Sequence, residues 1–500
     1  MIPPPHAPPH PSDEDQLAAL GYAQQLKREL GFGTNFALGF AFVSPVVGLY
    51  SIVGAGMFAS GPAWIWALLI ALSGQMLVAL VFAELASQFP ISGGIYQWSR
   101  RLVGPRYGWF SGWIYSWTQI ITFTSVSYLG GFWMAAVFGR HPDATEQLLW
   151  GFGVLLLVSA INLLGQNPLK YSVTVGIAAE LIASIAIGLL LLLFFAENDW
   201  SVLLHDLGAS HNWNGSTTEG FLAAVAVAGW AFVGFDACSA LSEEVMDPRR
   251  HVPRALLMSL VVVGLVIVMN AVAVIRAQQG LTGLVQVLSV DPLTPLVTDA
   301  FGAWLSKPFQ AVVLASFLAC AIAIQTTATR ILFSLSRDQA LPLSRHLQKV
   351  APNQVPANAV LTTTLIGAVI LCVGLNGSAV STLIAFTSGG FYASFTLAVA
   401  AALWARLRGR WDPSLGAFHL RGWGLLVNAI AVIWVCFETV NIAWPRPQLL
   451  APNAPWYLEW AVPLIGLALT LIGALYLVRN PRPGVPVSAE KPDTAAAVPQ

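Results

Sequence analysis

Charge is what this sequence has least of. Asp, Glu, Lys and Arg make up 10% of its 500 residues, less than half the roughly 25% of an ordinary globular domain. The few charges also balance, 24 basic against 24 acidic, so the basic footprint that nucleic-acid binding needs is missing. Cysteine is scarce too. Cys238, Cys320, Cys372 and Cys436 each lie inside an apolar run, where a thiol acts as a small hydrophobe, and four cannot staple a chain of this length. The eight histidines (6, 10, 141, 205, 211, 251, 346 and 419) fall between apolar runs or at their ends. That argues against membrane haem, whose axial ligands include an imidazole within the bilayer. HExxH, a GxSxG in a strand–turn–helix context and a Walker A loop are absent, which speaks against metalloprotease, hydrolase and ATP-driven chemistry on this chain. Nothing repeats like a selectivity filter or a ring of charge, as a channel would require.

Apolar residues are abundant instead: 56% of the chain is hydrophobic and the mean hydropathy is +0.69. A helix needs about 20 largely apolar residues to cross about 30 Å of hydrocarbon. Twelve such spans can be drawn, near 36–60, 63–86, 107–137, 147–165, 171–196, 218–245, 254–275, 308–333, 357–375, 379–405, 424–444 and 458–478. The chain therefore reads as an all-α polytopic membrane protein with membrane lipid around it. No cleavable signal peptide is visible before the first span. With the N-terminus on the cytoplasmic side, 20 Lys and Arg fall inside and only Arg140, Arg276, Lys307 and Arg446 outside. This positive-inside split predicts that both termini are cytoplasmic, in a cell (inner) membrane if the source is bacterial. Residues 1–15 and 481–500 have the composition of disordered tails. The long connection 276–307 is expected to hold short helices.

Two spans carry glycine where a helix should be continuous. Span 1 contains Ser51-Ile-Val-Gly-Ala-Gly-Met-Phe58, and span 6 contains Gly229-Trp-Ala-Phe-Val-Gly-Phe-Asp236. Glycine-interrupted spans at corresponding places in two halves point to a transporter binding site. Their separation by five helices, an odd number, suits an inverted repeat. Unwound backbone frees N–H and C=O groups, which at bilayer depth require a cavity or a ligand. A half-helix N-terminus favours a carboxylate and freed carbonyls favour an ammonium. Taken singly, either glycine stretch reads as close helix packing; together they favour a site for a zwitterion.

Several segments carry a family resemblance. They are Ala83-Glu-Leu-Ala-Ser-Gln-Phe-Pro-Ile-Ser-Gly-Gly-Ile-Tyr-Gln-Trp98 after span 2, Gly234-Phe-Asp-Ala-Cys-Ser-Ala-Leu-Ser-Glu-Glu244 in span 6, and Thr329-Arg-Ile-Leu-Phe-Ser-Leu-Ser-Arg-Asp-Gln-Ala-Leu-Pro342 ending span 8. In this order and spacing the chain resembles the amino acid–polyamine–organocation permeases, and among them the amino acid/choline transporter group that includes GABA permeases. The resemblance implies a five-plus-five inverted-repeat bundle with two extra helices and alternating access. Residues 1–35 would be an N-terminal tail, 36–196 and 218–405 the two repeats, 424–478 the extra helices and 479–500 a C-terminal tail. It implies a secondary transporter, not an enzyme, importing a small amino acid or GABA-like zwitterion with a cation, H+ or Na+, and with no organic cofactor or metal centre. The alternatives are a choline or polyamine carrier on the same fold, an exchanger or a sensor.

Carried over by position, Ser51, Gly54, Ala55 and Gly56 would meet the substrate carboxylate. The carbonyls of Trp230, Ala231 and Phe232 would meet its amine, with the Trp230 ring as a cation–π lid worth about 2 kcal/mol when desolvated. Asp236 follows the break in span 6, either orienting the amine or capping the second half-helix. Glu180, ten residues into span 5, is either a proton carrier, since burial penalises a charged carboxylate, or a hydrogen-bonding strut. Some proton-coupled relatives place a lysine in helix 5; here span 5 has only Lys170, at its start. Thr326, Thr327 and Thr329 in span 8 either offer hydroxyls to sodium or bond back to their own helix. Glu84, Arg101, Glu243, Glu244 and Arg249, with Arg100, Arg330 and Arg337, are candidates for an inner-gate ion-pair network. Glu438 and Glu459 receive no role.

Overall fold

The computed structural model describes residues 13–288, 291–373, 379–450 and 453–480, with Pro483. Eleven helical stretches among them are long and apolar enough to cross a membrane, and a shorter apolar helix, Ala357–Cys372, stands at the ninth expected span. The chain is a multi-pass helical membrane protein.

Spans 1 and 6 are the irregular ones. Span 1 consists of three helices, Phe32–Val43, Pro45–Tyr50 and Val53–Ser60. A 3-10 turn at Gly61–Ala63 carries it directly into span 2, Trp64–Gln88. Gly61 adopts φ +56, and a Cβ there would stand 2.1 Å from the Asp206 carbonyl oxygen, so the turn admits no side chain. Span 6 runs as Thr217–Ala228, a 3-10 turn Gly229–Phe232, and a one-turn helix Ala237–Ala240. Span 5 changes pitch as well, passing from Gln166–Leu181 through a π segment, Ile182–Ile187, to Gly188–Phe194. The expected short helices in 276–307 are present as Leu281–Gln286 and Leu293–Phe301.

Burial separates an inner bundle from an outer layer. In spans 3 and 6, 78% of the most apolar stretch is buried, against 17% in span 12. Helices that are apolar all round yet exposed are facing lipid rather than water. Spans 4, 5 and 11 are likewise mostly uncovered, so the interior is built by spans 1, 2, 3, 6, 7, 8 and 10.

The N-terminal segment is not a free tail throughout. Asp13–Ala19 is helical, Leu17, Tyr22, Leu26 and Leu30 are buried, and Leu30 pairs with Val245 in a parallel bridge. The reason is legible in the chemistry: an apolar residue recurs every four or five positions, and Tyr22 donates to Asp338 at 3.0 Å. Residues 1–12, 481–482 and 484–500, to which the rest of the predicted tails belong, lie outside the described residues.

Candidate functional site

The break in span 1 comes earlier than the glycines suggested. Ser44 takes φ +44, and Pro45 follows as the first residue of the next helix. Proline lacks the N–H that would continue the ladder and its ring crowds the preceding turn; the Ser44 hydroxyl then accepts from Val47 N–H at 3.1 Å. A second discontinuity lies at Ser51–Ile52. Gly54, Ala55 and Gly56, expected to be unwound, sit instead inside the helix Val53–Ser60, whose first bond runs from Gly56 N–H to Ile52 O at 2.8 Å. A Cβ on Gly56 would stand 2.4 Å from the Trp64 ring, so close packing accounts for that glycine. The N–H groups of Val53, Gly54 and Ala55 are still those of a helix's first turn, without intrahelical partners.

The break in span 6 falls where predicted. After the 3-10 turn, Val233 is extended and Gly234 takes φ +95. A Cβ on Gly234 would lie 1.9 Å from the Phe42 ring. The two breaks touch: a Cβ on Gly48 would be 3.3 Å from the Ala231 carbonyl oxygen.

Two cavities flank this contact. One, of about 20 Å³, is lined by Phe42, Val43, Val47 and Gly48 of span 1, Thr122 and Val126 of span 3, Trp230 and Val233 of span 6, and Cys320 and Ile324 of span 8. It has room for about one water. The other, of about 290 Å³, is walled by Tyr50, Ser51, Ile52, Ala55, Phe132, Trp133, Trp230, Phe317 and Ser388, with Arg446 and Glu459 also in its lining. Trp230 borders both and separates them. The structure thus brings Ser51, Ala55 and Trp230 together, whereas Gly54, Gly56, Ala231, Phe232 and Asp236 line neither cavity. The Ser51 hydroxyl and the Trp230 indole nitrogen, both buried, have no hydrogen-bond partner among the described residues.

Asp236 is fully enclosed, and its carboxylate accepts from the Tyr115 hydroxyl of span 3. It makes no side-chain cap to the helix that follows, so the capping alternative fails. Tyr115, which sequence reasoning passed over among the many aromatics of span 3, is its partner.

Glu180 reaches the span-1 break. Its Oε1 accepts from the Ser44 hydroxyl at 2.6 Å and from Val46 N–H at 2.8 Å, and Oε2 has no partner among the described residues. Cys320 of span 8 meets the same region, its thiol donating to the Phe42 carbonyl at 3.2 Å. The threonines do not. Thr326 donates to Ile322 O at 2.8 Å and to Asn162 Oδ1 at 2.8 Å, Thr327 to Ala323 O at 3.0 Å, and Thr329 to Thr326 O at 2.7 Å. Their hydroxyls are occupied by their own helix, and a thiol, a poor ligand for a hard cation, stands where span 8 meets the freed carbonyls.

On the face that carries the N-terminal segment and the end of span 12, four ion pairs form a layer. Arg337 forks onto Glu243 with two bonds of 2.9 Å, and Ser92 N–H adds a third at 3.1 Å. Arg330 bonds Glu244 at 2.9 and 3.3 Å. Glu84 pairs with Arg406 and accepts from Leu420 N–H at 2.7 Å. Asp338 pairs with Arg100 and also receives Tyr96 at 2.6 Å. All four acids are at most 1% exposed. Arg101 and Arg249 take carbonyl partners instead, Leu20 and Leu415. The predicted acids are therefore in place, two predicted cations are not, and Asp338 and Arg406 complete the layer. The resemblance motif ending span 8 already contained Asp338; Arg406, at the end of span 10, is joined to Glu84 only by the fold.

The profile of the family described as "Amino acid permease" matches residues 31–469. The chain belongs to this family. Among its relatives, the "Amino-acid permease BAT1" of Arabidopsis thaliana is 24% identical over 94% of this chain and 95% of its own length. The "Amino-acid permease BAT1 homolog" of Oryza sativa subsp. japonica is 27% identical over 93% and 95%. The "Branched-chain amino acid permease BcaP" of Bacillus subtilis is 26% identical over 68% and 73%. The permease is thus an amino acid transporter of the amino acid–polyamine–organocation superfamily, with a small-molecule amino acid as its substrate, and not an enzyme.

Proposed function

We propose that this permease imports a small neutral amino acid by alternating access, driven by a cation, across the cell membrane. The ion-pair face would be cytoplasmic and the two halves inverted repeats. The observation that carries this reading is the position of Trp230 between the one-water void at the crossed breaks and the 290 Å³ cavity on the other side. With the four ion pairs closing the opposite face, this arrangement would be an outward-facing state with its substrate site collapsed. Entry of substrate would lift Trp230 and enlarge the void. The carboxylate would then face the first-turn N–H groups of Val53–Ser60 and the Ser51 hydroxyl, which has no partner among the described residues. The ammonium would face the carbonyls of the span-6 break and the indole above them. Most of the remaining wall, Phe42, Val43, Val47, Val126, Val233 and Ile324, is apolar, with Thr122 and Cys320 the exceptions, which favours an aliphatic side chain. A relative named for branched-chain amino acids agrees with that preference.

The test is thermal stabilisation of the purified protein against a panel of amino acids, GABA, choline and putrescine, followed by uptake of whichever binds. A true ligand at a hundredfold excess over Kd stabilises by about 2.7 kcal/mol. Alanine, valine or leucine should raise the melting temperature. Stabilisation by choline or putrescine alone would refute the zwitterion site.

A further inference from the structure

Away from the crossed breaks, a second group of buried polar atoms lacks partners. Glu438 in span 11 is fully enclosed; its Oε1 is unpaired among the described residues and its Oε2 receives only a long bond from Asn441 Nδ2 at 3.4 Å. Beside it, the Tyr392 hydroxyl of span 10, both amide atoms of Gln75 in span 2 and the Trp434 indole nitrogen make no hydrogen bond of standard geometry with described residues. Gln75 lies within hydrogen-bonding reach of the Tyr392 hydroxyl, which is itself within electrostatic reach of Glu438. The Tyr392 and Trp434 rings are 6.4 Å apart. So many buried polar atoms from three helices, short of well-formed bonds around one carboxyl group, call for a reason.

The chemistry of the cluster selects what it binds. Trp434 and the Asn441 amide nitrogen can only donate, and Tyr392 and Gln75 can donate as well. A metal cation needs a shell of oxygens and no N–H groups aimed at it. Donors around a single carboxylate suit a group that alternates between ionised and protonated forms, with water completing the bonds. The charged or titratable groups facing Glu438 are Tyr392 of span 10 and Arg446 of the following loop. Span 2 presents the neutral Gln75, and span 6 presents the Leu222 carbonyl to Asn441 at 3.0 Å.

The cluster is also connected in both directions. Toward the cavity, Asn441 Oδ1 accepts from Arg446 at 2.6 Å, and Arg446 lines the 290 Å³ cavity. Toward the centre, the Tyr392 hydroxyl lies 3.1 Å from where a Cβ on Gly229 would stand, at the first residue of the span-6 break. The other enclosed acids near the breaks are engaged there: Glu180 Oε1 holds the Ser44 kink, and Asp236 accepts from the Tyr115 hydroxyl.

We propose that Glu438 is the binding site of the coupling proton. Its carboxylate takes a proton from the solvent of the open cavity, and the carboxylic acid releases that proton to the other side after span 6 and span 10 rearrange, the substrate remaining chemically unchanged. This rests on the reading of the chain as a cation-driven importer. The test uses the full chain in liposomes with labelled leucine. One proton per substrate and a pH step of one unit, worth 1.36 kcal/mol, support about tenfold accumulation in the wild type. Glu438→Gln should abolish that accumulation while leucine counterflow, which needs no net proton movement, continues. Wild-type accumulation in E438Q would overturn the proposal. If E438Q fails to fold, Tyr392→Phe keeps the carboxyl and removes its neighbour. The pH midpoint of uptake should then move with counterflow retained, and an unmoved midpoint would overturn the proposal. A wild type that exchanges no amino acid of the panel refutes the importer reading instead, so the two failures are distinguishable.

Discussion

Replacing Glu180 by Ala and by Gln separates the two bonds it makes at the span-1 kink from its charge. In the native protein one oxygen holds both the Ser44 hydroxyl at 2.6 Å and Val46 N–H at 2.8 Å, and both donors are buried. Pro45 between them cannot supply an N–H of its own, so the kink depends on an acceptor from outside the helix. Alanine removes that acceptor. Two buried donors left unsatisfied cost about 1–3 kcal/mol each, and the emptied side-chain volume adds to that. The expected loss is about 3–7 kcal/mol. Glutamine keeps a carbonyl oxygen in the same place and exchanges charge-assisted bonds for neutral ones, a loss of about 1–3 kcal/mol over the pair. Thermal unfolding of the detergent-purified variants is the assay, with Glu180→Gln expected several degrees below wild type and Glu180→Ala far below it. Equal melting temperatures for the two variants would refute the argument that hydrogen bonding to the kink is what Glu180 contributes to stability.

Trp230→Ala should leave folding and membrane insertion intact, because its ring lies between two existing cavities, and abolish uptake; unchanged uptake would remove Trp230 from the site. Arg337→Ala leaves the enclosed Glu243 without its forked partner, a disruption of about 3–5 kcal/mol for a buried pair. Increased labelling of a cysteine introduced at Ser334, in the layer behind it, would register the resulting opening, and unaltered labelling would deny it. Gly234→Ala meets both a positive φ and the Phe42 ring at 1.9 Å, and no expression of folded protein is expected; a normal yield would mean that the span-6 break can take another path.

The spans were legible because about 20 apolar residues in a row have few other uses. The break in span 6 was legible because Gly229 and Gly234 fall mid-span, whereas the span's other glycine, Gly220, lies near its start. Span 1 misled for a definite reason. Its glycines at 54 and 56 attract the eye, yet one serves packing against Trp64, while the unwinding is done by Ser44-Pro45, whose proline was the stronger signal. The acids of the ion-pair layer could be named from the sequence, but not their partners. Glu84 and Arg406 are 322 positions apart, and nothing local indicates that spans 2 and 10 end side by side. Glu438 is not legible from the sequence because span 11 lies outside the five-plus-five core that the resemblance implies. Its neighbours Gln75 and Tyr392 show that one face of span 11 nevertheless packs against the interior.

The docked stretch between Asp13 and Leu30 also has a mechanical meaning. Tyr22 is tied to Asp338 at the end of span 8, and Glu29 and Leu30 to the Glu244 carbonyl at the end of span 6, by bonds of 3.0, 3.1 and 2.9 Å. It is a seat belt across two elements that must part if that face is to open. Each turnover would have to unbuckle and refasten it, so a dye on a Lys27→Cys variant, at a position more than half exposed, would count transport cycles from outside the moving core.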